Sequence, residues 1–261
     1  MKNMKIGFIG AGHMGGAMIE GLIKSEYIPA ESVVVKGGRS KTTSNLQEKL
    51  HFTLINDYKS FSDCDIVVIA TGSNIVLKVL EEFKFEITSN PIIVSVAAGC
   101  SMDEMKTLLG ESFSIGHAIP NTPVSVNAGM TGISFSENFT EEDRDKVMGM
   151  FKALGGIVEV EERLLGTFGT VAGCSPAFVD VFMEALADAS VMNGLPRDLS
   201  YEVVAQMMLG SAKLALDSKK HPGELKDGVC SPGGTTIKGV AALEKNGFRY
   251  AVIDAVNTAN N

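Results

Sequence analysis

Along the first half of the chain, short and almost wholly apolar runs alternate with longer amphipathic stretches. Residues 5–9 (KIGFI), 32–35 (SVVV), 65–70 (DIVVIA), 91–97 (PIIVSVA) and 114–119 (SIGHAI) have strand length and few polar interruptions. Residues 16–24, 41–50 and 101–109, which fall between them, repeat apolar side chains at helical spacing. A strand that is apolar at consecutive positions is covered on both faces, so this alternation predicts a parallel sheet flanked by helices. From about Leu164 the strand pattern stops. Residues 175–193 and 196–218 predict two long helices, with Ser175 and Pro176 as N-cap and first helical residue and Gly194 beyond the first helix's end. A short helix near Leu225, a break at 230–239, a helix through Glu244 and a last one after Phe248 complete the pattern. The predicted fold is α/β. A Rossmann-type doubly wound sheet occupies residues 1–163, followed by an all-α C-terminal dimerisation domain over residues 164–261. The second part carries broad apolar helix faces and many small residues (EALADASVMNG, LGSAKLALD), which calls for burial against another copy of the chain.

The first apolar run leads directly into Gly10-Ala11-Gly12-His13-Met14-Gly15, a GxGxxG between strand and helix. Gly10 permits the tight turn, Gly12 lets a pyrophosphate approach the backbone, and Gly15 lets helix pack on strand. The helix start then offers free N–H groups and partial positive charge to the phosphates. After the second run the text is VVVKGGRS, without the carboxylate that would hold a ribose 2′-hydroxyl. Arg39 and Ser40 suit a 2′-phosphate by charge and hydrogen bonding, so NADP(H) is the preferred cofactor, with NAD(H) as the second choice.

Composition narrows the partners. The 261 residues give room for two domains, and 45% hydrophobic content gives ample core. A net charge of −8 argues against nucleic acid and anionic membranes. No uninterrupted apolar run approaches the roughly 18 residues of a membrane span. The opening lysines and apolar residues, broken by glycines, read as a strand rather than a signal peptide. Cys64, Cys100, Cys174 and Cys230 form no CxxC, and the four histidines are not spaced to share a metal with them. No metal site is expected, and the compartment expected is the reducing cytoplasm.

The break at 230–239, CSPGGTTIKG, carries the other chemistry. A glycine turn at a helix start offers several backbone N–H groups to a carboxylate, and Ser231 and Thr235 add hydroxyl donors. Together with FIGAGHMGGAM, IPNTP at 119–123 and GLPR at 194–197, the stretch LKDGVCSPGGTTIKGVAALEKNGFR resembles pyrroline-5-carboxylate reductases, in order and over essentially the whole chain. The resemblance implies reduction of the cyclic imine 1-pyrroline-5-carboxylate to L-proline by NADPH or NADH. It implies a homodimer with interleaved helices, or a higher assembly of dimers. Thr236 becomes the catalytic residue, its hydroxyl meeting the ring nitrogen, with Ser231, Gly233, Gly234 and Thr235 around the small imino-acid substrate. The cofactor residues are Gly10, Ala11, Gly12, His13, Met14, Gly15, Arg39, Ser40, Ala70, Thr71, Ala98 and Asn121.

Several positions depart from that family. ATGSN at 70–74 stands where Ala-Val is commonly followed by Lys-Pro, and His117 and Ile119 stand in place of arginine and methionine. GCSPA at 173–177 replaces GSGPA, Gly228 replaces asparagine, and Cys230 replaces threonine or serine. Glu161 and Glu162 keep an acidic pair that either approaches the substrate or remains solvated surface. His117 reads either as a titrating group or as a satisfied structural histidine, while His51 and His221 read as surface. Cys174 and Cys230 read as buried, inert thiols. Two other functions stand beside the reductase: a divergent paralogue reducing another cyclic imine, and a non-catalytic reductase-like regulatory protein. The intact SPGGTT argues against the latter.

Overall fold

The computed structural model describes residues 4–38 and 41–260, which divide into two compact units between Gly173 and Cys174. The first unit is built on one eight-stranded sheet: β1 (Ile6–Ile9), β2 (Val33–Lys36), β3 (Thr53–Ile55), β4 (Ile66–Ile69), β5 (Ile92–Ser95), β6 (Ile115–Ile119), β7 (Gly129–Phe135) and β8 (Gly155–Glu159). Its helices are α1 (His13–Lys24), α2 (Thr42–Leu50), α3 (Val76–Glu86), α4 (Met102–Leu109), α5 (Glu141–Lys152) and α6 (Leu165–Gly169). The strand order is β3-β2-β1-β4-β5-β6-β7-β8. β1 to β6 run parallel, β7 pairs antiparallel to β6, and β8 runs parallel to β7. The chain therefore leaves β1 on one side toward β2 and returns on the other at β4, which makes the β1/β4 ends the topological switch point.

The alternation of side chains along each strand explains why the inner runs are apolar throughout. Phe8 and Val68 pack on one face with Met18, Leu22 and Phe151. Ile9, Val67 and Ile69 pack on the other with Leu80, Phe83 and Met105. Both faces are covered, so no position of β4 can be polar. Three strands (β3, β7 and β8) and three helices (α3, α5 and α6) were not foreseen from the sequence. β3 has only three residues and its first two are exposed. β7 begins at Gly129 and contains Gly132, and β8 is a half-exposed edge. α5 begins on the N-cap Thr140, whose hydroxyl accepts the Asp143 N–H, and its acidic first turn suits the positive helix end.

The second unit consists of α7 (Ser175–Met192), α8 (Arg197–Ser218), α9 (Pro222–Gly228), α10 (Thr235–Lys245) and α11 (Phe248–Asn260). α7 and α8 lie together, burying Ala187, Ser200 and Val204, and Phe182 meets Phe248 of α11 at 5.5 Å between ring centroids. Ser175 is not an N-cap, because the chain is already helical from Glu162 through a widened turn at Thr170–Cys174. Pro176 has no N–H for the Ala172 carbonyl four residues earlier; that carbonyl accepts the Asn121 side-chain amide at 2.9 Å instead. The stretch Glu162–Met192 is long and apolar enough to cross a membrane by length and composition, though it holds no uninterrupted apolar run of that length.

Candidate active site

The glycine turn lies where the fold predicts a ligand. Gly10 has φ +99°, and a Cβ there would stand 2.5 Å from the Ala70 carbonyl oxygen, so only glycine fits between β1 and β4. A Cβ on Gly15 would meet the Gly10 oxygen at 2.4 Å. At Gly12 no heavy atom lies within 4 Å of the Cβ position, and Gly12 and His13 are exposed at the start of α1. That start has no side-chain cap, so its first N–H groups remain free for a phosphate.

A cleft of about 460 Å³ opens beside the turn, lined by Gly10, Lys36, Gly37, Thr71 and Lys78 among others. Thr71 Oγ1 is buried there without a hydrogen-bond partner. An orphaned hydroxyl, a free helix start and an open glycine form the donor set that a dinucleotide satisfies. Lys36 and Lys78 are cations in this cleft that sequence reading passed over; Lys36 ends β2, at the position where an acid would favour NAD. The Lys36 ammonium stands 4.5 Å from the centroid of the Tyr58 ring, and the Tyr58 hydroxyl donates to Glu82 at 3.2 Å. Burial and the adjacent Glu82 push the Tyr58 phenol up to about 12, so it stays a donor at neutral pH. Arg39 and Ser40 lie outside the described residues.

The remaining cofactor positions follow the next strands. Ala98 lies exposed in the turn after β5, beside Gly99 at φ +79°. Asn121 follows β6 and is buried; its amide donates to Ala172 and accepts the Met130 N–H at 2.8 Å. Its side chain is thus committed within the protein. Met14 is half-buried in α1, and Ala11 is buried. His117 is buried at 7% exposure, with Nδ1 3.0 Å from Glu162 and Nε2 3.2 Å from the Ala97 carbonyl. Glu162 is therefore not solvated surface, whereas Glu161 pairs at the surface with Arg163.

In the second unit, the predicted substrate residues cluster at the head of α10. Gly234 is its N-cap, and Gly234 N–H donates to the Ser231 carbonyl at 3.0 Å. Gly233 has φ +70°, the left-handed conformation that glycine adopts without strain, so the turn needs glycine there. Thr235 and Thr236 occupy the first turn of the helix rather than the loop, with their hydroxyls exposed beside free backbone N–H groups. Cys230 is half-buried and Cys174 exposed, so neither is the buried thiol expected, while Cys64 and Cys100 are buried.

A family model described as "Pyrroline-5-carboxylate reductase dimerisation" matches residues 162–261, and one described as "NADP oxidoreductase coenzyme F420-dependent" matches residues 5–99. With the doubly wound sheet and its glycine turn, these define a nicotinamide-dependent oxidoreductase with a helical dimerisation domain. Pyrroline-5-carboxylate reductase of Escherichia coli (strain K12) is 40% identical over 254 residues, covering 97% of this chain and 94% of its own. The pyrroline-5-carboxylate reductase of Methanosarcina acetivorans is 37% identical over 261 residues, covering 100% of this chain and 97% of its own. The crystal structure of Plasmodium falciparum pyrroline carboxylate reductase with NADP bound superposes with a TM-score of 0.86 at 32% identity, covering 100% and 97%. The chain belongs to the pyrroline-5-carboxylate reductase family.

Proposed function

We propose that this protein reduces 1-pyrroline-5-carboxylate to L-proline with NADPH, as a cytoplasmic homodimer or an assembly of dimers. The observation that carries this reading is the Ser231–Thr236 turn at the head of α10, kept in a chain that matches the reductases from end to end. The cofactor fits the first unit. Gly12 leaves room for pyrophosphate, Thr71 Oγ1 lacks a partner, and Lys36 and Lys78 supply cations in the cleft beside the glycine turn. Bound NADPH supplies a hydride to the imine carbon, and the ring nitrogen finishes protonated.

The chain's own part is positioning. The N–H groups of Thr235 and Thr236 at the N-terminus of α10 take the substrate carboxylate, assisted by the helix dipole. The Thr236 hydroxyl hydrogen-bonds the ring nitrogen, and Ser231 and Thr235 complete the donor set. A protonated imine is already electrophilic, so no nucleophile or carboxylate pair is required of the protein. The apolar face of Glu162–Met192 is covered by the second copy rather than by lipid, consistent with its place in the dimerisation region.

Incubation with NADPH and racemic imine tests the reading. The expected product is L-proline, with consumption stopping at about half the imine because one enantiomer is used. Binding of NADPH without proline formation contradicts it. Thr236→Ala should lower turnover roughly ten- to a hundredfold, the value of one hydrogen bond to a charged group, with NADPH affinity unchanged. An unchanged rate removes Thr236 from the mechanism.

A further inference from the structure

Lys36 is the last residue of β2, opposite Ile9 in the sheet register, and its carbonyl accepts the Gly10 N–H at 2.9 Å. The root of its side chain is therefore tied to the glycine turn. Doubly wound sheets that bind dinucleotides place a side chain here, about twenty residues beyond the glycines, to read the 2′ position of the adenosine ribose. A carboxylate in that place accepts the ribose hydroxyls of NADH, whereas a cation pairs with the extra phosphate of NADPH.

The surroundings leave this ammonium available to an anion. It stands over the Tyr58 ring, 4.5 Å from the centroid, a contact that steadies a lysine without neutralising it. Tyr58 is buried and fixed, its N–H donating to Glu86 at 2.9 Å and its hydroxyl to Glu82 at 3.2 Å. Glu82, which also lines the cleft, is thus held at the hydroxyl of the ring while Lys36 lies over its face. Among the described residues no carboxylate lies within 4.0 Å of the Lys36 ammonium, in contrast to Lys49, which pairs with Glu20 at 2.8 Å. The facing turn at 70–75 (ATGSNI) brings no charge, and Gly37 and Gly38 add no side chain beside the lysine. Lys36, Gly37 and Gly38 also line a second pocket of about 170 Å³, where Thr43, Ser44 and Asn56 supply polar groups. Lys36 therefore stands where a cleft of about 460 Å³, the size of a small-molecule site, adjoins a small polar pocket.

We propose that Lys36 sets this protein's preference for NADPH over NADH, its ammonium taking the ribose 2′-phosphate with the polar groups of the small pocket beside it. This rests on the nicotinamide-cofactor reading above and not on the identity of the imine. Tyr58 acts through Lys36, holding the ammonium in the cleft by its ring face rather than by a carboxylate that would compete with the phosphate.

Direct binding tests this without turnover. Titration with NADPH and, separately, with NADH, followed by nicotinamide fluorescence, gives two dissociation constants, and the wild-type protein should favour NADPH. Lys36→Met keeps the apolar stem over Tyr58 and removes the charge. NADPH should then bind on the order of tenfold to a hundredfold more weakly, the value of one charge-assisted hydrogen bond, with NADH nearly unchanged. Retained NADH binding shows at the same time that the variant is folded. An unchanged ratio, or parallel weakening of both cofactors, overturns the proposal. Lys36→Arg keeps a cation and should retain most of the ratio; a ratio as low as that of Lys36→Met contradicts recognition by charge. Lys36→Glu should reverse the preference, because a carboxylate repels the phosphate and accepts the ribose hydroxyls, and continued preference for NADPH contradicts the assignment. On the wild-type protein, adenosine 2′,5′-bisphosphate should displace NADPH at lower concentration than adenosine 5′-monophosphate; equal displacement overturns the proposal without any variant. A wild-type protein that binds neither dinucleotide removes the cofactor reading and the proposal together. Binding as described without proline formation faults the reductase reading and leaves the role of Lys36 standing.

Discussion

Within the sheet unit Ile6, Phe8, Ile66 and Val68 are completely buried, while in the helical unit Val181, Leu209, Leu216 and Met192 stand 67%, 60%, 77% and 87% exposed. The sequence is about as apolar in both places, so composition does not separate them. The sheet unit covers both faces of its strands with its own helices and closes its core by itself. The helical unit buries a few side chains between α7 and α8 and leaves an apolar cavity of about 500 Å³ lined by Phe178, Val181, Phe182, Phe248 and Val252. Monomeric proteins seldom leave so much contiguous apolar surface, and the dimerisation match over residues 162–261 supplies the reason. One region is a finished core; the other is half of one.

Substitutions should separate the two regions, beginning with the largest effect. Phe8→Ala removes a fully buried ring and should destabilise the sheet unit by about 3–5 kcal/mol in denaturant unfolding, because the cavity cannot collapse between two packed faces. A loss below about 1 kcal/mol, the scale of an ordinary surface change, would mean that the core is looser than its packing indicates. Val181→Glu should leave folding of the sheet unit and NADPH affinity intact while dissociating the protein and reducing turnover. A charge buried without a partner is costly in an interface, whereas on an exposed face it costs almost nothing. Retained assembly and full turnover would place the second copy elsewhere.

The smallest contrast concerns the thiols. Burial pushes the Cys64 thiol up to about 12, and burial together with Glu104 and Glu162 raises that of Cys100. At about pH 8 on the order of one Cys64 in ten thousand is ionised, so iodoacetamide should label Cys174 and Cys230 and spare Cys64 and Cys100. Mass spectrometry of the labelled native protein reads this directly, and labelled Cys64 would contradict a closed sheet-unit core.

The finished core was also the legible part. Runs such as 65–70 announce a doubly covered strand because every position must be apolar. The glycine turn was legible because its three glycines act within six residues. β3, β7 and β8 were hidden for the opposite reasons: Thr53–Ile55 is too short, Gly129 and Gly132 interrupt β7, and the β8 edge faces solvent beyond Gly155 at φ +141°. Asn121 with Ala172, and His117 with Glu162, pair across 51 and 45 residues. No local spacing signals such contacts, so Glu162 looked like surface and the Asn121 amide looked free for the cofactor. The helical unit was readable as helices, but its burial pattern makes sense only with the partner that covers it.

The mass of the wild-type protein in solution, measured by sedimentation equilibrium, is the most direct test of that contrast. The account predicts twice the chain mass, or an even multiple of it, persisting down to concentrations at which turnover is measured. A monomer that still forms proline would contradict the claim that the helical unit is completed by a second copy.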